Sequence, residues 1–255
     1  MYIMNGKDKI LITLIICFCS ILNAQYLKVD YERLELGEEN LIGVSKEFRE
    51  ELNNRRKTPQ KFFLYYADGE SLYKSVPRKS FVNNAGDLRV DEKTISHNRE
   101  VYKDIELKVY KPKGAKGVYV YQNFLDIREE FYGYKDTKFS SIDYKDETIT
   151  IDKYHCKLVE VSFPNNPSAK TKVWYTEDIP ISAGPNTFNV FPGLVLRIES
   201  SQYILTAIKI SNEAKLSDVE KINTKLPVYK EEAFDKKMKE VRELRSKVTK
   251  EEIRL

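Results

Sequence analysis

The stretch Val173–Ser200, VWYTEDIPISAGPNTFNVFPGLVLRIES, decides how this chain is read. It opens as a strand in which Trp174 and Thr176 face one way and Val173 and Tyr175 the other. Pro180 forces Ile179 into an extended conformation. Gly184-Pro185 and Pro192-Gly193 are two separate turn signals, and Pro followed by Gly at the central positions is the type II arrangement. Leu194, Leu196 and Ile198 then alternate with Val195, Arg197 and Glu199, as in a strand whose register is fixed by a buried face. Two strands joined by a rigid loop point to a β fold. The loop is either the rim of a site or a corner that returns the chain to its sheet.

Working outward, the same alternation recurs. YLKVDYERL (Tyr26–Leu34), FFLYYAD (Phe62–Asp68) and ESLYKSV (Glu70–Val76) read as strands, the last two forming a hairpin about Asp68-Gly69. GVYVYQNF (Gly117–Phe124) sets Val118 and Val120 against Tyr119 and Tyr121. Ile127–Phe139, Thr148–Phe163 with a possible bend at Asp152-Lys153, Lys170–Thr176, Gly193–Ser200 and Tyr203–Ile210 complete the set. The chain holds 17 Tyr and 12 Phe, residues that suit pleated, half-buried surfaces. Two helices are expected. Ser45–Lys57 has Ser45 as N-cap and Phe48 and Leu52 on one face. Tyr229–Glu252 carries a stripe of Phe234, Met238 and Val241, extended by Leu244 or Arg245, which can dock on the body or on a partner. Val82–Gly117 is polar and turn-rich, and holds an irregular insertion or a hairpin. The expected fold is mainly β: an antiparallel, strongly curved sheet or open half-barrel with two peripheral helices.

The first residues address the chain. Lys7 and Lys9 precede the apolar run ILITLIICFCSIL (Ile10–Leu22), and NAQ follows, the layout of a secretory signal peptide cleaved after Ala24. The run is shorter than the roughly 20 apolar residues of a membrane span. The expected organisation is a signal peptide over 1–24, a β-rich domain over 25–228 and a charged C-terminal helix over 229–255. After cleavage only Cys156 remains, so no internal disulfide is expected and packing must carry stability. Removing Lys7, Asp8 and Lys9 takes the net charge from +4 to +3. So small a charge, with signs interleaved, is no nucleic-acid footprint.

The chemistry that is missing is informative. No H-E-x-x-H, C-x-x-C, G-x-S-x-G, Walker A or dinucleotide-binding glycine pattern occurs. Two His (His97, His155) and one Cys are too few for an ordinary zinc site, and no cofactor is expected. His155 and Cys156 are neighbours on a strand and point to opposite faces, which argues against a thiol–imidazole pair. Carboxylates stay open: Asp126, Glu129, Glu130, Asp143, Asp146, Glu147, Glu177 and Asp178 include enough acids for paired-carboxylate hydrolysis.

Val173–Ser200 also resembles the signature region of the GLPGLI family, exported proteins of Bacteroidetes bacteria. The matching positions are Trp174, Tyr175, Thr176, Ile179, Pro180, Ser182, Gly184, Pro185, Phe188, Pro192, Gly193 and Leu194. Tyr154, Cys156 and Lys157 match an upstream strand of that family. Val190-Phe191 stand where the family has Gly-Leu, and Val195 where it has Ile. The resemblance implies an exported, β-rich envelope protein and brings no mechanism.

Three functions follow as expectations. The first is a non-enzymatic binding protein of the envelope or periplasm. It would hold a partner protein or an apolar or glycan-like ligand in the concave face, with Trp174, Tyr175, Asp178 and Phe188 as contacts on the loop rim; the alternative for those residues is a folding corner. The second is a carboxylate hydrolase acting on envelope glycans, which needs two acids across a cleft, one with a raised pKa. The third is an accessory subunit captured through the C-terminal helix.

Overall fold

A computed structural model describes residues 26–37, 46–79, 81–89, 95–102, 106–125 and 127–252. The expected signal peptide, Ser45 and Asp126 lie outside them, and so does the side chain of Phe48. The strands are β1 (Tyr26–Glu35), β2 (Gln60–Ala67), β3 (Glu70–Ser75), β4 (Phe81–Arg89), β5 (Ile95–Tyr102), β6 (Lys108–Lys111) and β7 (Gly117–Phe124). They continue as β8 (Glu129–Asp136), β9 (Ser141–Ile151), β10 (Tyr154–Phe163), β11 (Asn166–Thr176), β12 (Leu194–Glu199), β13 (Tyr203–Ser211) and β14 (Val228–Lys230). The helices are α1 (Lys46–Lys57) and α2 (Glu231–Glu252).

Twelve strands form one sheet in the order β14-β8-β7-β6-β3-β2-β1-β13-β12-β11-β10-β9, while β4 and β5 pair separately. Every pairing in the large sheet is antiparallel except β14 with β8, which is parallel. The curvature follows from chain reach. β8 is second from one end and β9 is the other end, yet only four residues separate Asp136 from Ser141. Ten strand spacings would be roughly 48 Å in a flat sheet. Four residues span at most about 17 Å. The sheet therefore curls until its ends approach, without closing. Bulges at Asp30/Tyr31 and Trp174/Tyr175 supply local bending. The expected curved, open β architecture is the one found.

Its inner face carries the main core. Leu27, Val29 and Tyr31 of β1, Phe62 and Leu64 of β2, Tyr73, Val109 and Val118 all belong to it. So do Val159, Val161, Val173 and Ile198 from the other half. Fully buried Tyr31 donates its hydroxyl to the Val195 carbonyl at 2.6 Å, which keeps a polar atom satisfied inside the core. At the β8 end α2 covers the inner face: Phe234 and Val241 are buried against Phe131. Gly133 makes this possible, because a Cβ there would stand 2.3 Å from the Phe234 ring. The helical stripe thus docks on the body.

Two hairpins differ in how well local sequence reports them. Asp68 (φ 50°) and Gly69 (φ 85°) both take left-handed conformations between β2 and β3, the type I′ form that matches strand twist. Thr148–Phe163, expected as one strand with a bend, is instead two strands. Ile151 faces Tyr154 across a two-residue turn with Asp152 at φ 53°. β9 begins at Ser141 and is the free edge of the sheet. Its register shift between Lys157/Val159 on β10, together with Asp143, Lys145, Asp146 and Glu147, blunts that edge against further pairing.

Candidate functional site

The loop between β11 and β12 is a corner packed into the core. Trp174, Tyr175 and Phe188, three of the four expected contacts, are buried, as are Ile179, Ile181 and Phe191. Phe139, Phe163, Phe188, Phe191 and Tyr175 form one aromatic cluster, in which Phe139 lies 5.9 Å from Phe188 and Tyr175 stacks on Phe191 at 5.9 Å. The Trp174 indole donates to Glu199 Oε1 at 3.2 Å. Of the four, only Asp178 is exposed. Its Oδ2 accepts the His155 backbone N–H at 3.0 Å, pinning the loop to the start of β10. The concave face expected to hold a ligand is filled by the aromatic cluster and the rest of the main core.

The loop's glycines serve space rather than backbone freedom. Neither Gly184 nor Gly193 has a positive φ, so Pro192-Gly193 is not the expected type II turn. A Cβ on Gly193 would lie 2.1 Å from the Thr176 carbonyl oxygen, and one on Gly184 2.0 Å from that of Phe188. Pro185 instead opens a turn closed by the Phe188 N–H at 3.0 Å, with Asn186 at φ 54°. Pro180 and Pro192 are exposed, and Leu194 is wholly buried. Lys111 reaches from β6 to donate to the Asn189 carbonyl at 2.7 Å, and burial lowers the pKa of its ammonium group. The loop thereby ties the two halves of the curled sheet together.

An open concavity lies on the opposite, outer face. Sheet register places Tyr65, Leu72, Tyr110, Tyr119 and Tyr134 side by side across five strands. Tyr121 stands opposite Tyr132 in the next row. Neighbouring rings touch: Tyr119 and Tyr134 are 4.8 Å apart, and Tyr121 and Tyr132 are 5.5 Å apart. The segment after β13 crosses this wall as a strap. Val219 and Ile222 pack on Leu72 and Tyr110. Glu220 binds Lys74 at 2.7 Å and Lys108 at 3.4 Å, Lys221 reaches Glu70 at 3.4 Å, and the Asn223 N–H donates to the Tyr132 hydroxyl at 3.2 Å. Between strap and wall is a cleft of about 260 Å³, lined by Tyr110, Tyr119, Tyr121, Tyr132, Lys108, Glu130 and the strap residues Glu220–Asn223 and Leu226.

The cleft is polar as well as aromatic. Tyr121 donates to Glu130 Oε1 at 2.6 Å and accepts from the Asn123 amide at 3.2 Å. Burial, with Glu130 beside it, pushes the Tyr121 hydroxyl up to about 12; burial and Glu70 do the same for Tyr110. Both stay neutral at physiological pH, able to donate and to accept. The hydrogen bond from Lys74, aided by Lys108, holds the Glu220 carboxyl below its ordinary range. Glu130 and Glu220 thus share one cleft, as a hydrolase would require. But Glu220 is shifted away from the protonated form that a general acid needs. Glu177 is paired with Lys157 at 2.7 Å on the exposed surface, and Asp143 with Lys145. Cys156 is a free, buried thiol, while His155 is exposed, so the two neighbours do point apart. Among the described residues no three His, Cys, Asp or Glu side chains gather as a metal site, and no helix is long and apolar enough to cross a membrane.

Comparison with known proteins adds little chemistry. Residues 134–197 match a family described as "Protein of unknown function (Porph_ging)". No curated protein matches the chain. Solved structures similar to the chain include "Structure of PNGF-II in P21 space group" (15% identity, TM-score 0.50) and "Structure of PNGF-II in C2 space group" (14% identity, TM-score 0.48). Each match covers 84% of this chain but only 33% and 32% of the other, so the chain spans about a third of the length of those proteins. At this identity the likeness concerns the fold alone.

Proposed function

We propose that the protein is a non-enzymatic binding protein of the bacterial cell envelope, and that its ligand occupies the tyrosine cleft on the outer face of the sheet. One observation carries the reading. The inner face and the Val173–Ser200 loop are filled by the protein's own side chains, whereas the cleft leaves rings, hydroxyls and charges open together. Binding sites combine such concavity with a few convergent polar groups. The leader-like start supports export, and the family match overlaps the stretch that resembles GLPGLI proteins. The docking of Phe234 and Val241 on Phe131 engages the apolar stripe that an accessory-subunit reading would reserve for a partner. Native mass spectrometry of the chain, purified gently from its host envelope, tests the proposal. Extra mass retained by the wild type and lost in Tyr121→Ala is the expected result. Extra mass that survives this substitution overturns the assignment to the cleft.

A further inference from the structure

Three features of the cleft bear on what it holds, given the reading that it is the binding site. The first is size. About 260 Å³ falls below the roughly 300–1,000 Å³ typical of drug-sized ligands, so one ring-sized unit fits, alone or as part of a chain running out of the cleft. The second is the wall. Tyr119, Tyr121 and Tyr132 present aromatic surface, whose negative ring faces attract polarised hydrogens. The third is charge. Two lysines (Lys108, Lys221) and two glutamates (Glu130, Glu220) line the cleft, so neither an anion nor a cation is selected.

These features exclude several ligand classes. A lipid tail would desolvate four charged groups and several hydroxyls without replacing their hydrogen bonds. A phosphorylated ligand would meet Glu130 and Glu220. What suits the site is a neutral ring with an apolar face and a polar edge. We infer that the cleft binds a neutral sugar unit of a glycan, its ring against the tyrosine wall and its hydroxyls bonded to Glu130, Lys108 and the tyrosine hydroxyls. Glu130 already accepts from Tyr121, and a carboxylate can accept further hydrogen bonds from a sugar hydroxyl.

The test is calorimetric titration of the full chain with cellobiose, N,N′-diacetylchitobiose, adenosine and a tetraalanine peptide. At least one disaccharide is expected to bind, and Tyr121→Ala or Tyr132→Ala to weaken it roughly tenfold. Tyr144→Ala, on exposed β9, should leave binding unchanged. Tyr121→Phe keeps the wall and removes only the hydroxyl, so it guards against misfolding; a loss of about three- to tenfold is expected from it. Binding of adenosine or peptide in place of sugar, with the same sensitivity to Tyr121 and Tyr132, overturns the sugar inference and leaves the site reading standing. Sugar binding that ignores both substitutions, or no binding of any probe, overturns both.

Discussion

The Val173–Ser200 loop and the tyrosine cleft are opposites. The loop is dense in Pro, Gly and aromatic residues, the most particular stretch of the chain, and it is buried where it could meet a ligand. The cleft is built from ordinary strand and strap residues scattered over Leu72–Leu226, and it is open. A distinctive local pattern marks a place where the chain has few conformational choices. That is as often a demand of packing as of recognition. Open polar and aromatic surface brought together by register is the better sign of a site.

Four substitutions or conditions break or sharpen the contrast. The largest effect belongs to the loop. Phe191→Ala removes a ring that is 1% exposed and stacked on Tyr175, and should cost about 4 kcal/mol by urea unfolding, with no change specific to the cleft. Gly193→Ala comes next. Its Cβ meets backbone at the Thr176 carbonyl rather than a movable side chain, so a loss of about 3 kcal/mol is expected. If that variant is as stable as wild type, the close-approach explanation is wrong.

The third prediction concerns the strap. Glu220 has its carboxyl pKa lowered from 4.5, so the stabilisation it gives is complete above that value and is lost as pH falls through the depressed folded value. Amide exchange across 219–227 should quicken at acid pH, corrected for intrinsic rates, before the core opens. Glu220→Gln should abolish that dependence, and an unchanged profile would disconnect the strap from Lys74 and Lys108. The smallest effect is at Cys156. Burial raises its thiol to about 11, so alkylation at pH 8 should be slow in the folded chain and rapid in denaturant. Fast labelling of the native chain would contradict its burial.

Much of the fold was legible because one-sided burial writes alternation into β1 and β2, and because apolar and aromatic runs bounded by turn signals mark β3, β7, β12 and β13. The failures have physical causes. The first half of β9, SIDYKDE, is exposed on an edge, and its only apolar residues, Ile142 and Tyr144, make too short an alternation to read. β6 is four residues long inside a polar stretch, and β14 is three residues that merge into the start of α2. The Pro192-Gly193 pair satisfied a local turn rule, but the need for glycine came from the carbonyl of Thr176, sixteen positions upstream of Pro192, which no local rule contains. The cleft was half visible. Tyr119 and Tyr121 stood out against Val118 and Val120, but Tyr110, Tyr132 and Tyr134 join them only through pairings that hydrophobic periodicity does not specify. The strap has no repeating pattern at all, since its anchors are Val219, Ile222 and ion pairs to distant strands.

The central claim is that the cleft, and not the loop, meets the ligand. Its most direct test is an NMR titration of ring-labelled tyrosine protein with a neutral disaccharide. The account predicts shifts at Tyr119, Tyr121 and Tyr132 while Tyr175 stays silent. Shifts at Tyr175 with a silent cleft would contradict it.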